Sequence, residues 1–353
     1  MIITITIFLL CIALLIHANY KNKSQSLLES SLKLSIIIAA KNEGHNISSL
    51  ITSLSKQDFP KENYEIIIVD DNSIDNTFNK AKAETLNYNN ISILKANNKK
   101  YIGKRGALQF GIENAKHQNI LITDADCKPN KNWIKVFANK FTEGYDFIFG
   151  IAPYKQTESF INKIACFENL RTHILTFGFA NLELPYSAAA RSFGFKKESF
   201  LKIKGYENTT DTLSGDDDLL LREAVKNKMK IATVSKPEAF VFSETKKTFT
   251  EYIKQKSRHT STSNYYSFTT KLLLALWHTL NLLFLFSPLL MFINLNFGIF
   301  FLVKIITDFI TVKLLQKRFG YHFNLLEIII LQIIYEVMLV VNYFNGTFHK
   351  NEW

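Results

Sequence analysis

The sequence lacks the cysteine patterns that are typical of small secreted domains and of domains stabilised by a structural metal ion. Its three cysteines, Cys11, Cys127 and Cys166, form neither a metal-ligand spacing nor a disulfide framework. It contains no internal repeat and no low-complexity tract, and no small-residue cleavage site follows its apolar N-terminal run. These absences argue against a disulfide-stabilised secreted domain and a cleaved signal peptide, and they are compatible with a reducing compartment.

Apolar and charged residues are concentrated in different parts of the chain. Apolar residues make up 47% of the sequence, and phenylalanine alone occurs 30 times, whereas 21% charged residues exclude a wholly membrane-embedded protein. Residues 1–16 carry no charge, and apolar runs recur at 272–293, about 295–312 and 325–344. A membrane-spanning helix needs about 20 apolar residues. The first and last C-terminal runs meet this length, and Lys304 and Asp308 argue against the middle one.

The positive charge follows the apolar runs. The net charge of +11 raises the possibility of nucleic-acid binding, but the basic residues cluster beside the apolar segments, as the positive-inside rule and anionic lipids require. We therefore expect no nucleic-acid partner. We expect an integral protein of the plasma or inner membrane, anchored by residues 1–20, with a cytoplasmic globular part and two or three further spans within 271–345. If all three C-terminal runs span, residue 345 faces away from Lys256. The oligomeric state stays open.

Between about 33 and 130, short apolar runs alternate with helical stretches. Strands are expected at 34–40, 64–70, 91–95 and 119–123, and helices at 45–56, 75–86 and 104–116. Strands this apolar, alternating with helices, predict an α/β domain over 33–246 with a mostly parallel sheet. Further helices are expected at 158–176 and 217–228, and 247–270 is expected to form an amphipathic interfacial helix.

Carboxylates follow two of the predicted strands. Asp70 and Asp71 end the second strand, where they either cap a turn or accept a hydrogen bond from the imide N–H of a uracil base. Asp124 and Asp126 end the fourth strand. Alternating carboxylates on a short loop suit Mg²⁺ or Mn²⁺ bridged to a diphosphate.

Three further groups of charged residues carry candidate chemistry. Lys104 opens a helix, where it is either a diphosphate contact or part of a solvated basic turn. The run Gly215-Asp216-Asp217-Asp218 concentrates three acids; clustering raises their pKa values, as a general base requires, although helix capping is the alternative. Gln255 and Arg258 share one helical face, suited to phosphate or to lipid headgroups.

Taken in order, these residues resemble the inverting family-2 glycosyltransferases, in particular membrane-integrated members such as cellulose synthase, hyaluronan synthase and ceramide glucosyltransferase. The similarity covers about 36–260. It rests on Ile-Ile-Ala-Ala-Lys-Asn-Glu, Val-Asp-Asp-Asn-Ser, Gly-Lys-Arg-Gly-Ala-Leu, Thr-Asp-Ala-Asp-Cys-Lys-Pro, Gly-Asp-Asp and Gln-X-X-Arg-His. The resemblance implies a GT-A-type fold and transfer of a sugar from a nucleotide sugar, expected to be a UDP-sugar, to a lipid or lipid-linked glycan.

The resemblance also implies a role for each matched residue. The nucleotide would be bound by Asp71 with Asp70 beside it, Glu43, Lys104, Asp124, Gln255 and Arg258. The metal ligands would be Asp126 and Asp124, and the catalytic base would be Asp217, with Asp216 as the second candidate.

The sequence departs from the family pattern after Arg258, where His259 replaces the usual tryptophan. Because that indole would contact the acceptor sugar in polymerising members, its loss favours single or few transfers over a processive polysaccharide synthase. A sugar nucleotidyltransferase would need a glycine-rich loop after the first strand, and the chain has Ala-Ala-Lys-Asn-Glu-Gly-His there. An inactive membrane scaffold would have lost a key carboxylate, and none of the matched carboxylates is missing.

Overall fold

The computed structural model describes residues 1–21, 31–212 and 214–348, which group into two compact units. The sheet unit comprises Ser24–Pro153 and Ser187–Glu244. The helical unit comprises Met1–Lys23, Tyr154–Tyr186 and Thr245–Trp353. The sequence predicted one uninterrupted domain over 33–246, and the structure differs because residues 154–186 belong to the helical unit.

The strands all lie in the sheet unit, as far as the described residues extend. They are β1 (Leu34–Ala40), β2 (Tyr64–Asp70), β3 (Ile91–Lys95), β4 (Asn119–Ile122), β5 (Lys128–Pro129), β6 (Phe147–Gly150), β7 (Phe193–Lys196), β8 (Ile231–Val234) and β9 (Val241–Phe242). The four predicted strands are confirmed as β1 to β4, and β4 is one residue shorter than expected.

Helices occur in both units. Those of the sheet unit are α2 (Ile47–Ser55), α3 (Thr77–Thr85), α4 (Lys104–Asn114), α5 (Trp133–Thr142), α7 (Lys197–Lys202) and α8 (Asp218–Lys226). Those of the helical unit are α1 (Ile2–Tyr20), α6 (Phe160–Asn181), α9 (Phe249–Ser261), α10 (Phe268–Phe286), α11 (Phe297–Leu315) and α12 (Leu325–Phe348).

The main sheet has the strand order β3-β2-β1-β4-β7-β6-β8. Strands β1 to β4 pair in parallel, β7 runs antiparallel to β4 and β6, and β6 pairs in parallel with β8. The predicted mostly parallel α/β sheet is therefore confirmed. The chain order reverses beside β1, which lies between β2 and β4, and a crevice for ligands forms at the carboxyl ends of parallel strands at such a point.

Helix α4 packs directly on this sheet. A Cβ at Gly111 would lie 2.5 Å from Ile37 Cγ2 of β1 and 3.0 Å from Val69 Cγ2 of β2. Only a glycine allows this approach, and both strands are fully or almost fully buried at these positions. The close packing fixes the first turn of α4, which carries Lys104, against the strands that end in the predicted site.

The helical unit contains three described helices that are long and apolar enough to cross a membrane: Ile2–Tyr20, Phe268–Leu290 and Leu325–Gly346. The middle run, α11, is not among them, as the charges of Lys304 and Asp308 predicted. Both side chains are nevertheless buried, with Lys304 Nζ 2.5 Å from Asp308 and 2.9 Å from Glu336, and Asp308 3.2 Å from Arg171. The outer face of α11 carries Leu302, Ile306 and Ile310. The ion pairs thus compensate its charges inside the unit.

One expectation for this unit is wrong, and the condition of another is not met. The predicted interfacial helix 247–270 is interrupted: α9 ends at Ser261, and α10 begins after Ser267, whose hydroxyl accepts a hydrogen bond from Thr270 N at 3.2 Å. The expectation that residue 345 faces away from Lys256 required all three C-terminal runs to span, and α11 is not among the candidate spans. A Cβ at Gly346 would lie 2.6 Å from Ser257 O, so the end of α12 packs against α9.

Candidate functional site

The loops after β1 and β2 interlock at the carboxyl edge of the sheet. Asn42 N donates to Ser73 Oγ at 3.0 Å, and Ile74 N donates to Asn42 Oδ1 at 2.9 Å. Asn42 and Asn72 both adopt positive φ, near 57° and 54°, which short polar side chains tolerate. The two loops therefore form one rigid rim above the parallel strands.

The structure places Asp70 and Asp71 in this rim as buried carboxylates. Asp71 N donates to Ala40 O at 2.7 Å, and its side chain forms an ion pair with Lys99. Asp70 Oδ2 accepts a long hydrogen bond of 3.4 Å from Ser73 N. Its Oδ1 atom is buried and has no hydrogen-bond partner among the described residues. Asp70 thus stabilises the turn through Oδ2, as the capping alternative predicts, and its Oδ1 atom can still accept a hydrogen bond from a ligand.

Glu43 has a structural partner in this rim. Its Oε2 atom accepts a hydrogen bond from Asn46 Nδ2 at 2.7 Å, and its backbone N–H donates to Thr77 Oγ1 at 2.7 Å. The side chain therefore stabilises the turn into α2. The role of Glu43 in nucleotide binding stays a prediction.

Lys104 joins two carboxylates that are distant in sequence. Its Nζ atom lies 2.6 Å from Asp124 Oδ1 and 3.2 Å from Asp216 Oδ2. Burial opposes the ammonium form, but the two carboxylates hold the pKa of Lys104 well above its usual value. Lys104 is therefore cationic at neutral pH, and the alternative of a solvated basic turn does not describe it.

The loop after β4 offers a candidate metal site. Ligand atoms of Asp124, Asp126 and Cys127 all lie within 4.8 Å of one another. Burial, reinforced by the two carboxylates, raises the pKa of the Cys127 thiol well above its usual value, so the thiol stays protonated. Mg²⁺ and Mn²⁺ prefer oxygen ligands. The donor set therefore fits a divalent ion held by Asp124 and Asp126, with Cys127 as a packing residue.

The three consecutive acids at the start of α8 have three different environments. Asp216 contacts Lys104, whereas Asp217 accepts hydrogen bonds from Asp218 N at 2.9 Å and Ala190 N at 2.7 Å. Asp218 Oδ1 accepts hydrogen bonds from Ser187 Oγ at 2.8 Å and Ala188 N at 3.0 Å. Asp217 and Asp218 therefore tie α8 to residues 187–190.

These environments separate the pKa values of the two base candidates. Burial would raise the pKa of Asp216, but Lys104 and Arg105 lower it below the usual value. Burial, together with Asp218 and Asp216, raises the pKa of Asp217 to about 8. A general base works best with a pKa near the working pH, so the pair divides into a permanent anion and a titrating group.

Two arginines to which the sequence analysis gave no role hold this edge together. Arg105 is buried and donates to the carbonyl oxygens of Thr212 and Ser214, just before the acidic run. Arg191 donates to Ser243 Oγ, and its own carbonyl oxygen accepts from Thr123 Oγ1 at 2.8 Å. Because Arg105 directly follows Lys104, its position in the sequence could have indicated that it lies near the site.

Gln255 and Arg258 lie on α9 of the helical unit, which begins with a capping box formed by Thr248 and Glu251. Between them, Lys256 is buried with its Nζ atom 3.3 Å from Glu168 Oε2 of α6. The helix is thus anchored within its own unit. The assignment of Gln255 and Arg258 to the diphosphate stays a prediction from the sequence motif.

Comparisons with known proteins find glycosyltransferases. Residues 35–200 match the family Glycosyl transferase family 2. Glycosyltransferase AglE of Haloferax volcanii is 31% identical over 102 residues, covering 29% of this chain and 33% of that protein. The 4,4'-diaponeurosporenoate glycosyltransferase of Staphylococcus aureus is 26% identical over 172 residues, covering 48% and 44%. The match thus spans less than half the length of these curated relatives.

A solved structure supports the fold. The mannosyltransferase PcManGT from Pyrobaculum calidifontis, in complex with GDP-Man and Mn2+, superposes with a TM-score of 0.52 at 16% identity, over 73% of each chain. At this identity the similarity concerns the fold alone. Together with the family match and the mostly parallel sheet, it shows that residues 35–200 carry a glycosyl transferase family 2 domain and that this domain has the GT-A-type fold.

Proposed function

We propose that the chain transfers a single sugar from a UDP-sugar, with inversion, to a lipid or lipid-linked acceptor at the membrane surface. The observation that carries the proposal is the convergence of Asp124 and Asp216 on Lys104, next to the Asp126 carboxylate, at the carboxyl edge of the sheet. A site with an acid pair, a permanent cation and a titrating base has the groups that nucleotide-sugar chemistry requires.

The donor would be held by its base and its diphosphate. Asp71 would accept a hydrogen bond from the uracil imide N–H. The unpartnered Oδ1 of Asp70 would accept a further hydrogen bond from an N–H or O–H group of the nucleoside. Asp124 and Asp126 would hold Mg²⁺ or Mn²⁺, which neutralises diphosphate charge when bound. Lys104 would supply a fixed positive charge beside the same diphosphate, and Gln255 and Arg258 would contribute as the sequence motif implies.

Asp217 would act as the base. Its carboxylate would take the proton of the acceptor hydroxyl while that oxygen forms a bond to the anomeric carbon and the bond to the nucleoside diphosphate breaks. Asp216 stays ionised beside Lys104 and would orient that cation. The backbone N–H groups of Ala190 and Asp218 fix the Asp217 carboxylate, so the base is held in one orientation.

The helical unit supports the proposed acceptor and location. The three apolar helices fit an integral membrane protein, and Lys21 and Lys256 would lie on the cytoplasmic side with the sheet unit. A membrane-resident enzyme meets lipid acceptors directly. The lipid-directed name of the Staphylococcus aureus relative agrees with this acceptor class.

The test is release of nucleoside diphosphate by purified full-length protein, with a panel of UDP- and GDP-sugars, membrane lipid extract and Mn²⁺. We expect turnover with a UDP-sugar and a lipid product heavier by one sugar in mass spectrometry. Asp211→Asn is the matched control, because Asp211 is exposed and pairs with Arg222 outside the cluster. Absence of turnover with every donor contradicts the proposal, and a ladder of products makes the chain a polymerising synthase.

A further inference from the structure

Glu168 lies on α6 and holds two side chains of α9 at once. Its Oε2 atom accepts a hydrogen bond from the Tyr252 hydroxyl and lies 3.3 Å from Lys256 Nζ. Tyr252 and Lys256 are four residues apart, so both project from one face of α9. Tyr252 is 1% exposed and Lys256 is 8% exposed. The contact is therefore a largely buried connection between the two helices, and the sequence analysis gave Glu168 no role.

This contact resists rotation of α9. Lys256 also lies over the ring of Tyr154, 5.7 Å from the ring centroid. Burial, reinforced by Glu168, raises the pKa of Tyr252, so its hydroxyl stays protonated and can donate. A buried ammonium group that loses its carboxylate partner keeps an uncompensated charge, which is strongly unfavourable. Rotation of α9 on α6 would break both contacts with Glu168, so this carboxylate fixes the rotation of α9 about its own axis.

The rotation of α9 sets the directions of Gln255 and Arg258. An α-helix turns by about 100° per residue, so these two side chains project roughly 110° away from the face that Glu168 holds. Both are half-buried, whereas Lys256, which lies between them in the sequence, is buried. Because a short helix rotates as one body, the contact at Lys256 decides where the side chains on either side of it point.

We propose that Glu168 is a positioning residue for the leaving nucleoside diphosphate, which acts by fixing the rotation of α9 and thereby the directions of Gln255 and Arg258. This inference rests on the proposed function, because it needs those two side chains to bind the diphosphate. Glu168 itself contacts neither donor nor acceptor. Its effect on the nucleotide therefore passes through α9 and disappears when the α9 contact to the diphosphate is removed.

The experiment is a double-mutant cycle on UDP affinity, measured by calorimetry with Mn²⁺ on full-length protein in detergent. We expect Glu168→Gln and Arg258→Gln each to weaken UDP binding by about tenfold, the value of one charged hydrogen bond. The double variant should bind UDP no more weakly than Arg258→Gln alone, because Glu168 acts through Arg258. A general loss of structure would instead add to the effect of Arg258→Gln.

Glu158→Gln is the matched control. Glu158 pairs with Lys163 just before and within the same helix, and its side chain is 97% exposed. The same substitution there removes an ion pair without touching α9, so it is expected to keep the wild-type UDP affinity.

The outcomes separate the two claims. Additive losses in the double variant refute the positioning role, and so does a wild-type UDP affinity in Glu168→Gln or in Arg258→Gln; the proposed function stands in each case. If the wild type binds no UDP, the proposed function fails and this inference fails with it. If Glu168→Gln does not fold, Glu168→Met combined with Lys256→Met replaces it. This pair of changes leaves no uncompensated charge and is expected to show the same non-additive loss.

Discussion

The assignment of Asp217 as the base leads to a defined pH dependence. A carboxyl group with a pKa of about 8 is mostly protonated at pH 7, and the protonated form cannot accept a proton from the acceptor. Because the pKa is raised, the active form exists above it and is lost as the pH falls. We therefore expect kcat/KM to rise about tenfold per pH unit below pH 8 and to level off above it.

Replacing the base tests the same assignment at fixed pH. Asp217→Asn removes the proton acceptor, and general-base loss costs about 10²–10⁴-fold in turnover. Both carboxylate oxygens accept hydrogen bonds from backbone N–H groups, those of Ala190 and Asp218. In the Asn variant, the side-chain NH₂ group would therefore lie opposite one of these N–H groups, and both are hydrogen-bond donors. That conflict is expected to cost about 1–3 kcal/mol of unfolding free energy. Thermal unfolding and donor titration must therefore accompany the rate measurement.

Comparing the Asp216→Asn and Asp217→Asn variants shows which of the two carboxylates is the base. Asp216→Asn breaks the ion pair with Lys104, so we expect it to weaken donor binding more than Asp217→Asn does. The expected pattern is a folded Asp217→Asn variant that binds donor, turns over slowly and has lost the rise with pH. If Asp217→Asn turns over at a near-normal rate and Asp216→Asn does not, Asp216 is the base and the reasoning from pKa values is refuted.

Three further predictions follow from the geometry. Excess chelator should abolish turnover and Asp126→Ala should weaken donor binding, because Asp124 and Asp126 are the proposed metal ligands; full turnover in chelator would contradict both. Gly106→Ala should weaken UDP binding several-fold in calorimetry, since the new Cβ would meet Tyr101 O at 1.9 Å and displace the loop that carries Lys99. An unchanged affinity would show that this loop is not part of the nucleotide site. A cysteine at position 345 should be labelled from the same membrane side as one at position 254, because Gly346 packs on α9; labelling from opposite sides would exclude this packing in the membrane.

The sequence by itself determined the parallel half of the sheet and the edge at which the site forms. Strands β1 and β2 are continuous apolar runs, and apolar strands alternating with helices have one main arrangement. Since parallel strands end at the same edge, the positions of Asp71 and Asp124 after β2 and β4 predict that both lie at one edge of the sheet. The other half of the sheet was harder to predict because β6, β7 and β8 are each only four residues long and β7 pairs antiparallel with β4.

Only the tertiary structure decided what each charged side chain does. Asp216 and Asp217 are adjacent identical residues, and their pKa values diverge because Lys104 and Arg105 lower that of Asp216, whereas burial and the neighbouring carboxylates of Asp218 and Asp216 raise that of Asp217. The pairing of Lys99 with Asp71 depends on the path of a loop over Gly106. Arg105 reaches carbonyl oxygens more than a hundred positions away. Such contacts join residues far apart in the chain, and local sequence patterns carry no record of them.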